Sequence, residues 1–359
     1  RKEMAKNTQI DVLNSPAMSK IRNNLLPQLS RNRDLLLAMG VLLILGLLII
    51  PLPPKLLDIF LATNITLSVL ILMIAIYIRT PLEFSSFPAV LLMTTLFRLG
   101  LNVATTRLIL GEASAGDIIQ AFGSFVIKGN YVVGVIIFLI LLVINFIVVI
   151  KGSTRIAEVS ARFTLDALPG KQMSIDADLN AGYIDEATAK KRREDLTREA
   201  DFFGAMDGAA KFIKGDAIAG LVITGVNILG GLAVGMLQFD MDFATAASTY
   251  TILTIGDGLV AQIPSLLISV SGGLVVTRSS GSDYLDTELS FQIGSRPKPL
   301  AITSLVLLVM GTIPGFPFIP FFILSIITGA FAYYRYKQTK QEAERKLKEE
   351  IEKAEEVSL

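Results

Sequence analysis

Two arginines and an asparagine, Arg98, Arg107 and Asn102, interrupt the otherwise apolar run 91–110. A charge near the centre of a bilayer costs roughly 2.5–3.5 kcal/mol on insertion scales, so such a residue is set against protein or trapped water and is a default candidate for function. Two other apolar stretches carry acids, Asp216 and Asp257. Carboxylates and guanidiniums kept from bulk water bind and release protons with affinities set by their neighbours. Arg98 and Asn102 are four apart and share one helix face. Arg107, nine residues from Arg98, points to different surroundings. Its plain reading is a side chain that snorkels to the headgroups near the helix end. Arg98 lies deeper, and its spacing from the run's ends predicts a buried partner carboxylate or a water-filled cavity.

The segment Gly204-Ala-Met-Asp207-Gly-Ala-Ala-Lys211-Phe-Ile-Lys214-Gly-Asp216 holds the next cluster. Asp207, Lys211 and Lys214 follow an i, i+4, i+7 pattern on one face. Asp216 faces elsewhere, at the entry to an apolar run. An acid near a helix start is favoured by the dipole, and an ion pair tying a soluble insert to the membrane is a second structural reading. The functional reading is a proton-binding carboxylate tuned by Lys211, Lys214 or a buried arginine. Asp257 stands in Thr254-Ile-Gly-Asp257-Gly-Leu, with Gln262 and Pro264 close behind. The two glycines predict a locally unwound helix, which at membrane depth is tolerated only in protein or against water. Asp257 is therefore expected to face an interior cavity, or else to pair with an arginine such as Arg98. Gly231 and Gly235 form a small-xxx-small pair that predicts close helix packing within or between subunits.

Composition narrows the chemistry. With 52% hydrophobic residues and a mean hydropathy of +0.58, the chain is too apolar for a soluble domain of its length. It contains no Cys and no His. That excludes a disulfide, a thiolate nucleophile, a thiolate zinc site and an imidazole proton shuttle. A Ser-His-Asp triad is excluded for the same reason. The stretch Pro169-Gly170-Lys171-Gln172 lacks the first glycine and the hydroxyl of a phosphate-binding loop. The basic run Lys190-Lys191-Arg192-Arg193 is flanked by acids and reads as a solvated helix face, not a nucleic-acid surface. No enzyme activity, cofactor or metal is expected.

The positioning elements follow from the apolar runs. The reading is an all-α, polytopic membrane protein with eight transmembrane helices, near 34–52, 56–78, 87–110, 131–150, 216–237, 244–277, 300–313 and 318–334. A cytoplasmic N-terminal segment, 1–33, precedes them and reads as no cleavable signal. A small helical cytoplasmic insert, 151–215, separates spans four and five. Within it 154–165 and 185–206 read as helices, with a turn expected at Pro169-Gly170. The charged segment 335–359 carries i,i+4 pairs such as Glu342/Lys346 and reads as a solvated tail or a linker to a further soluble domain. Lys and Arg cluster in 1–33, the insert, 278–298 and the tail, whereas the connections 51–55, 111–130, 238–243 and 313–318 are short and poor in them. The positive-inside rule then puts both termini in the cytoplasm.

Several blocks resemble one family. Phe97-Arg98-Leu-Gly-Leu-Asn-Val-Ala-Thr-Thr-Arg107-Leu-Ile-Leu is similar to the signature of the FHIPEP proteins, the large export-gate subunit of flagellar and virulence type III secretion systems. Leu168-Pro-Gly-Lys-Gln-Met-Ser-Ile-Asp-Ala-Asp178, Met206-Asp-Gly-Ala, Phe212-Ile-Lys-Gly-Asp-Ala217 and Ile255-Gly-Asp-Gly-Leu259 resemble its other hallmark stretches. The wording Pro-Leu-Pro-Pro and Asp-Ala-Leu-Pro-Gly-Lys-Gln leans to the injectisome branch. The resemblance implies a bacterial inner-membrane protein with eight spans, assembled as a homo-oligomeric ring of nine subunits around other export-apparatus membrane proteins. It implies a large C-terminal cytoplasmic domain, beyond this chain, that receives chaperones and secreted substrates. It implies export coupled to the proton motive force, with Arg98, Arg155, Arg162, Asp166, Lys211, Asp216 and Asp257 as the matching charged residues. Two other readings stay open: a ring scaffold that conducts no ion, and a small-solute transporter, which would need paired broken helices.

Overall fold

The computed structural model describes residues 33–127, 131–278, 297–313 and 317–358. Among them there is helix and no strand: α1 (Arg33–Ile49), α2 (Pro54–Tyr77), α3 (Phe87–Glu112), α4 (Asp117–Ile127), α5 (Tyr131–Ile144), α6 (Lys151–Asn180), α7 (Glu186–Leu237), α8 (Phe243–Thr277), α9 (Pro297–Thr312) and α10 (Phe318–Ser358). A π-helical segment, Asn145–Ile150, joins α5 to α6 without a break. The N-terminal basic residues up to Arg31, Arg296 and the turn at 314–316 lie outside the described residues.

Among the described residues six helical stretches are long and apolar enough to cross a membrane: Pro54–Tyr77, Phe87–Glu112, Tyr131–Asn180, Glu186–Leu237, Phe243–Thr277 and Phe318–Gln338. The first and seventh expected spans correspond to shorter apolar helices, Ala38–Ile49 and Pro297–Thr312. A helix of 16 residues reaches about 24 Å, short of a hydrocarbon core of about 30 Å. The described residues are thus all-helical, with six candidate spans and two shorter apolar helices where spans were expected, a pattern consistent with a polytopic membrane protein.

Two compact units divide it, up to Ser279 and from Ser280. In the first unit α8 is central. It packs on α2, α4 and α7, and 17 of its residues are buried. The connection expected to be a simple link at 111–130 contains α4, whose Ile119, Gly123 and Ile127 are buried. Its N-terminus is held by α2: the Asp58 carboxylate accepts the amides of Asp117 (3.0 Å) and Ile118 (3.2 Å). An acid there satisfies amides that the helix itself cannot. In the second unit α9 and α10 form an antiparallel hairpin, where the Ser304 and Ser325 hydroxyls each donate to the other's backbone carbonyl at 2.8 Å.

The insert is a helical hairpin made by α6 and the first half of α7. The turn expected at Pro169-Gly170 is absent: α6 runs straight through Pro169 to Asn180. An internal proline costs about 3 kcal/mol. Leu168, Ile175 and Leu179 continue one face across it and pack on Ala189 and Leu196 of α7. Ion pairs join the same two helices, Lys171–Glu199 and Arg192–Asp178 at 3.1 Å, with Arg193–Asp176 beside them. Interhelical packing therefore outweighs the local turn signal. The reversal comes later, where Gly182 takes a φ of 75° that suits glycine. Asp185 then caps α7 by accepting the Thr188 amide at 2.9 Å.

The Asp185 cap makes a testable pH dependence. Its hydrogen bonds to Thr188 hold the carboxyl below the ordinary value of 3.8. A depressed folded pKa gives stability that is present above the unfolded value and lost as pH falls through the folded one. Amide protection at the start of α7, taken relative to the intrinsic exchange rate at each pH, should therefore fall below about pH 4. Asp185→Ala should show faster exchange at neutral pH and no such acid transition. An unchanged acid transition in that variant would rule out the cap as its source.

Candidate functional site

Five helical segments, α3, α5, the π segment, α7 and α8, meet around one cavity that holds a cluster of polar side chains. α3 contributes Arg98 and Asn102, one turn apart on its inner face. α7 contributes Asp216, Gly220 and Thr224, a column at i, i+4 and i+8. α8 contributes Asp257, Ala261 and Ser265 with the same spacing, and Gln262 beside them. The π segment contributes Asn145, Phe146 and Ile150. The cavity has a volume of about 60 Å³. At roughly 10–15 Å³ of such volume per molecule, it has room for a small cluster of waters.

The charges inside are deeply enclosed. Arg98 is 2% exposed, Asp257 7% and Asp216 8%. Arg98 and Asp216 form a direct ion pair through Nη2 and Oδ2. The Asn227 amide donates to Asp257 at 3.4 Å. Among the described residues Arg98 is the one cation lining the cavity, against two carboxylates. Arg98 Nη1, Asp216 Oδ1, Asn145 Oδ1 and Asn227 Oδ1 are buried without a protein partner. Buried polar groups of this kind are satisfied by water where there is room for it. A carboxylate held from water without a counter-cation carries a large desolvation penalty, and taking up a proton removes it. Asp257 and Asp216 thus line one cavity with room for water.

The Gly256-Asp257-Gly258 segment is not unwound. α8 continues through it as regular helix, and Pro264 lies inside the same helix. The glycines serve close packing. A Cβ on Gly256 would stand 2.0 Å from the Ile119 carbonyl oxygen, and one on Gly258 2.6 Å from the Phe138 ring. Absence of side chains thus lets α4 and α5 seat against α8 and presents Asp257 to the cavity. The departure from α-helical geometry lies instead at Asn145–Ile150. Such π segments recur at functional sites because the extra residue re-aims its neighbours.

The remaining candidates are placed as follows. Arg107 donates to the Ile49 carbonyl at 2.8 Å and to the Leu48 carbonyl at 3.4 Å. It caps the C-terminus of α1, where a cation also suits the dipole. Lys211 pairs with Asp207 at 2.8 Å on α7 and, with Asp216, lines a separate apolar groove between α3 and α7. Lys214 lies away from the buried acids, in a surface cleft with Lys151 and Arg155. Arg155 bonds Glu158 at 3.0 Å. Arg162 and Asp166 are exposed on α6. Gly231 and Gly235 pack inside the chain, where added Cβ atoms would meet the Tyr250 ring at 2.3 and 2.7 Å. Asn145, Asn227, Thr224 and Ser265 were not singled out by sequence. The two asparagines stand in the apolar runs LLVINFIVVI and ITGVNILGG, so the polar-at-depth signal that marked Asn102 also marks them.

Comparison with known proteins bears on this geometry. The chain is 56% identical over 310 residues to the flagellar biosynthesis protein FlhA of Caulobacter vibrioides, covering 85% of this chain and 44% of the relative. It is 52% identical over 310 residues to the low calcium response locus protein D of Yersinia pestis, covering 86% and 44%. It is 51% identical over 311 residues to the invasion protein InvA of Salmonella typhimurium, covering 86% and 45%. The chain therefore spans less than half the length of these relatives. Relatives named for flagella and for invasion are matched at similar identity, so similarity does not separate the two branches. No solved structure matches the chain. The sequence profile of the FHIPEP family covers residues 44–358, and with these relatives it places the chain in the FHIPEP family.

Proposed function

We propose that this chain is the membrane part of an export gate that couples proton entry to the passage of unfolded protein. The observation that carries the reading is the cavity itself, lined by two buried carboxylates and a single guanidinium, with Arg98 paired to Asp216 and Asp257 held by Asn227. The names of the relatives, flagellar biosynthesis and invasion, support a secretion setting. In this reading α1 and α9 join the six candidate spans to make eight, both termini lie in the cytoplasm, and nine copies form a ring with other export-apparatus proteins. Chaperones and substrates dock on a cytoplasmic domain that follows residue 359.

The cycle begins with a proton reaching Asp257 through the cavity waters. Transfer to Asp216 neutralises the partner of Arg98 and loosens α3 from α7. Because α7 runs unbroken from the span into the insert, that loosening reaches the α6–α7 hairpin. A proton crossing 100 mV releases about 2.3 kcal/mol, so many turnovers are needed per exported chain.

Proton flux into vesicles holding the purified chain tests this reading. Asp216→Asn and Asp257→Asn should each cut flux by an order of magnitude or more while ring assembly persists. Full flux in both variants would remove the carboxylates from the mechanism. If the variants instead fail to form rings, the charges are structural glue and the scaffold reading holds.

A further inference from the structure

Away from the cavity, the chain has a second cluster of charge at the junction of the π segment, α6 and α7. Lys151 and Arg155 of α6 and Lys214 of α7 line a surface cleft of about 530 Å³, with Thr154 and Glu158 on its wall and Ile147 at its apolar end. Three cations face one carboxylate there, and Glu158 is engaged by Arg155. Lys151 and Lys214 make no ion pair among the described residues, and both are exposed.

What lies on either side of this cleft identifies its ligand. Stepping back from Lys151 by helical turns meets Ile147, Ile144 and Ile140, which are 54%, 46% and 53% exposed. Stepping forward from Lys214 meets Ile218 and Val222, 44% and 62% exposed. Each helix therefore presents an exposed apolar column that ends in a lysine, and the two lysines converge on one cleft. A column of exposed branched aliphatic side chains suits acyl chains. Lysines at its end suit a phosphate at headgroup depth, where each basic residue adds attraction to anionic lipid. A soluble anion would have no use for the columns, and a zwitterionic lipid would leave the excess positive charge unmatched.

We propose that this cleft is a binding site for one anionic phospholipid, its phosphate held by Lys151, Arg155 and Lys214 and its acyl chains laid along Ile147 and Ile218. The inference rests on the reading that α5 and the second half of α7 cross the membrane. It does not depend on proton coupling. A lipid lodged there bridges the start of the insert to the span that carries Asp216, so the site is placed to set how the α6–α7 hairpin sits on the membrane.

The test uses the full chain in nanodiscs made with phosphatidylglycerol, with cardiolipin or with phosphatidylcholine alone. Lipid retained after detergent extraction is read by native mass spectrometry. Lys151→Gln/Lys214→Gln should lower retention of the anionic lipids about tenfold or more, at an unchanged melting temperature. Lys190→Gln/Lys191→Gln, which removes two exposed charges elsewhere on α7, should leave retention unaltered. Equal retention by both variants would overturn the proposal, as would equal retention of phosphatidylcholine by the wild type. Displacement of the lipid by millimolar inorganic phosphate would make the cleft a free-anion site and overturn the lipid assignment. Protection of the cleft only on ring assembly would make it a subunit interface. Proton flux is measured separately, so failure here leaves the export reading intact and the reverse holds too.

Discussion

Arg98→Leu should be the most damaging single charge substitution in the chain. It leaves the Asp216 carboxylate buried with its guanidinium partner gone. Breaking a buried pair from one side costs about 3–5 kcal/mol, because an uncompensated charge remains. Replacing both partners by apolar groups of similar volume is often close to neutral. The double variant Arg98→Leu/Asp216→Leu should therefore recover most of the stability lost by the single one. Chemical denaturation of the purified chain in detergent measures the cycle, and a coupling of several kcal/mol between the two sites is the expected result. Simple additivity of the two single effects would show that the pair is not a structural unit. The double variant also separates stability from work: it should fold, assemble and conduct no protons.

The second large effect is expected at Gly256. Its missing side chain lets the Ile119 carbonyl approach, and a Cβ would lie 2.0 Å from that oxygen and 2.9 Å from its carbon. Both are backbone atoms of α4, so no flexible side chain can swing away. Overpacking of a core costs typically 1–3 kcal/mol and occasionally more. Gly256→Val should exceed that range, since α4 must leave α8 to admit it. The measurement is loss of folded chain in a thermal melt, together with protease cleavage near residues 117–127. Gly273, in the same helix, has nothing within 4 Å of an added Cβ. Gly273→Ala should raise stability by about 1 kcal/mol through helix propensity alone. A Gly256→Val protein that melts like the wild type would refute the packing account of this glycine pair.

These expectations differ from the sequence reading at the same residues for a definite reason. Glycine on both sides of Asp257 is a local signal of weak helix, and it points to unwinding. Burial of α8 against α2, α4 and α7 is a larger, non-local force, and it keeps the helix whole. Pro169 shows the same conflict in the insert. There the apolar face that continues through it, together with the ion pairs to α7, carries α6 a further 11 residues to Asn180.

Length and apolarity of the runs, the helical class of the chain and the presence of charge at membrane depth were all written in the order of the residues. Each is a local or compositional property, and the expense of a polar group in hydrocarbon makes Arg98, Asn102, Asp216 and Asp257 stand out without coordinates. Family membership was legible in the same way, as blocks of fixed wording. Which acid meets Arg98 was not legible. The two partners are 118 positions apart, and the choice between Asp216 and Asp257 depends on how α3, α7 and α8 are rotated about their axes. Only the packed bundle sets those rotations, because Gly256, Gly258, Gly231 and Gly235 admit neighbouring atoms that any side chain would push away. The cavity with its asparagines follows from that close approach, while the cap that Arg107 places on α1 and the cleft under Lys214 are set by where α3 meets α1 and α6 meets α7.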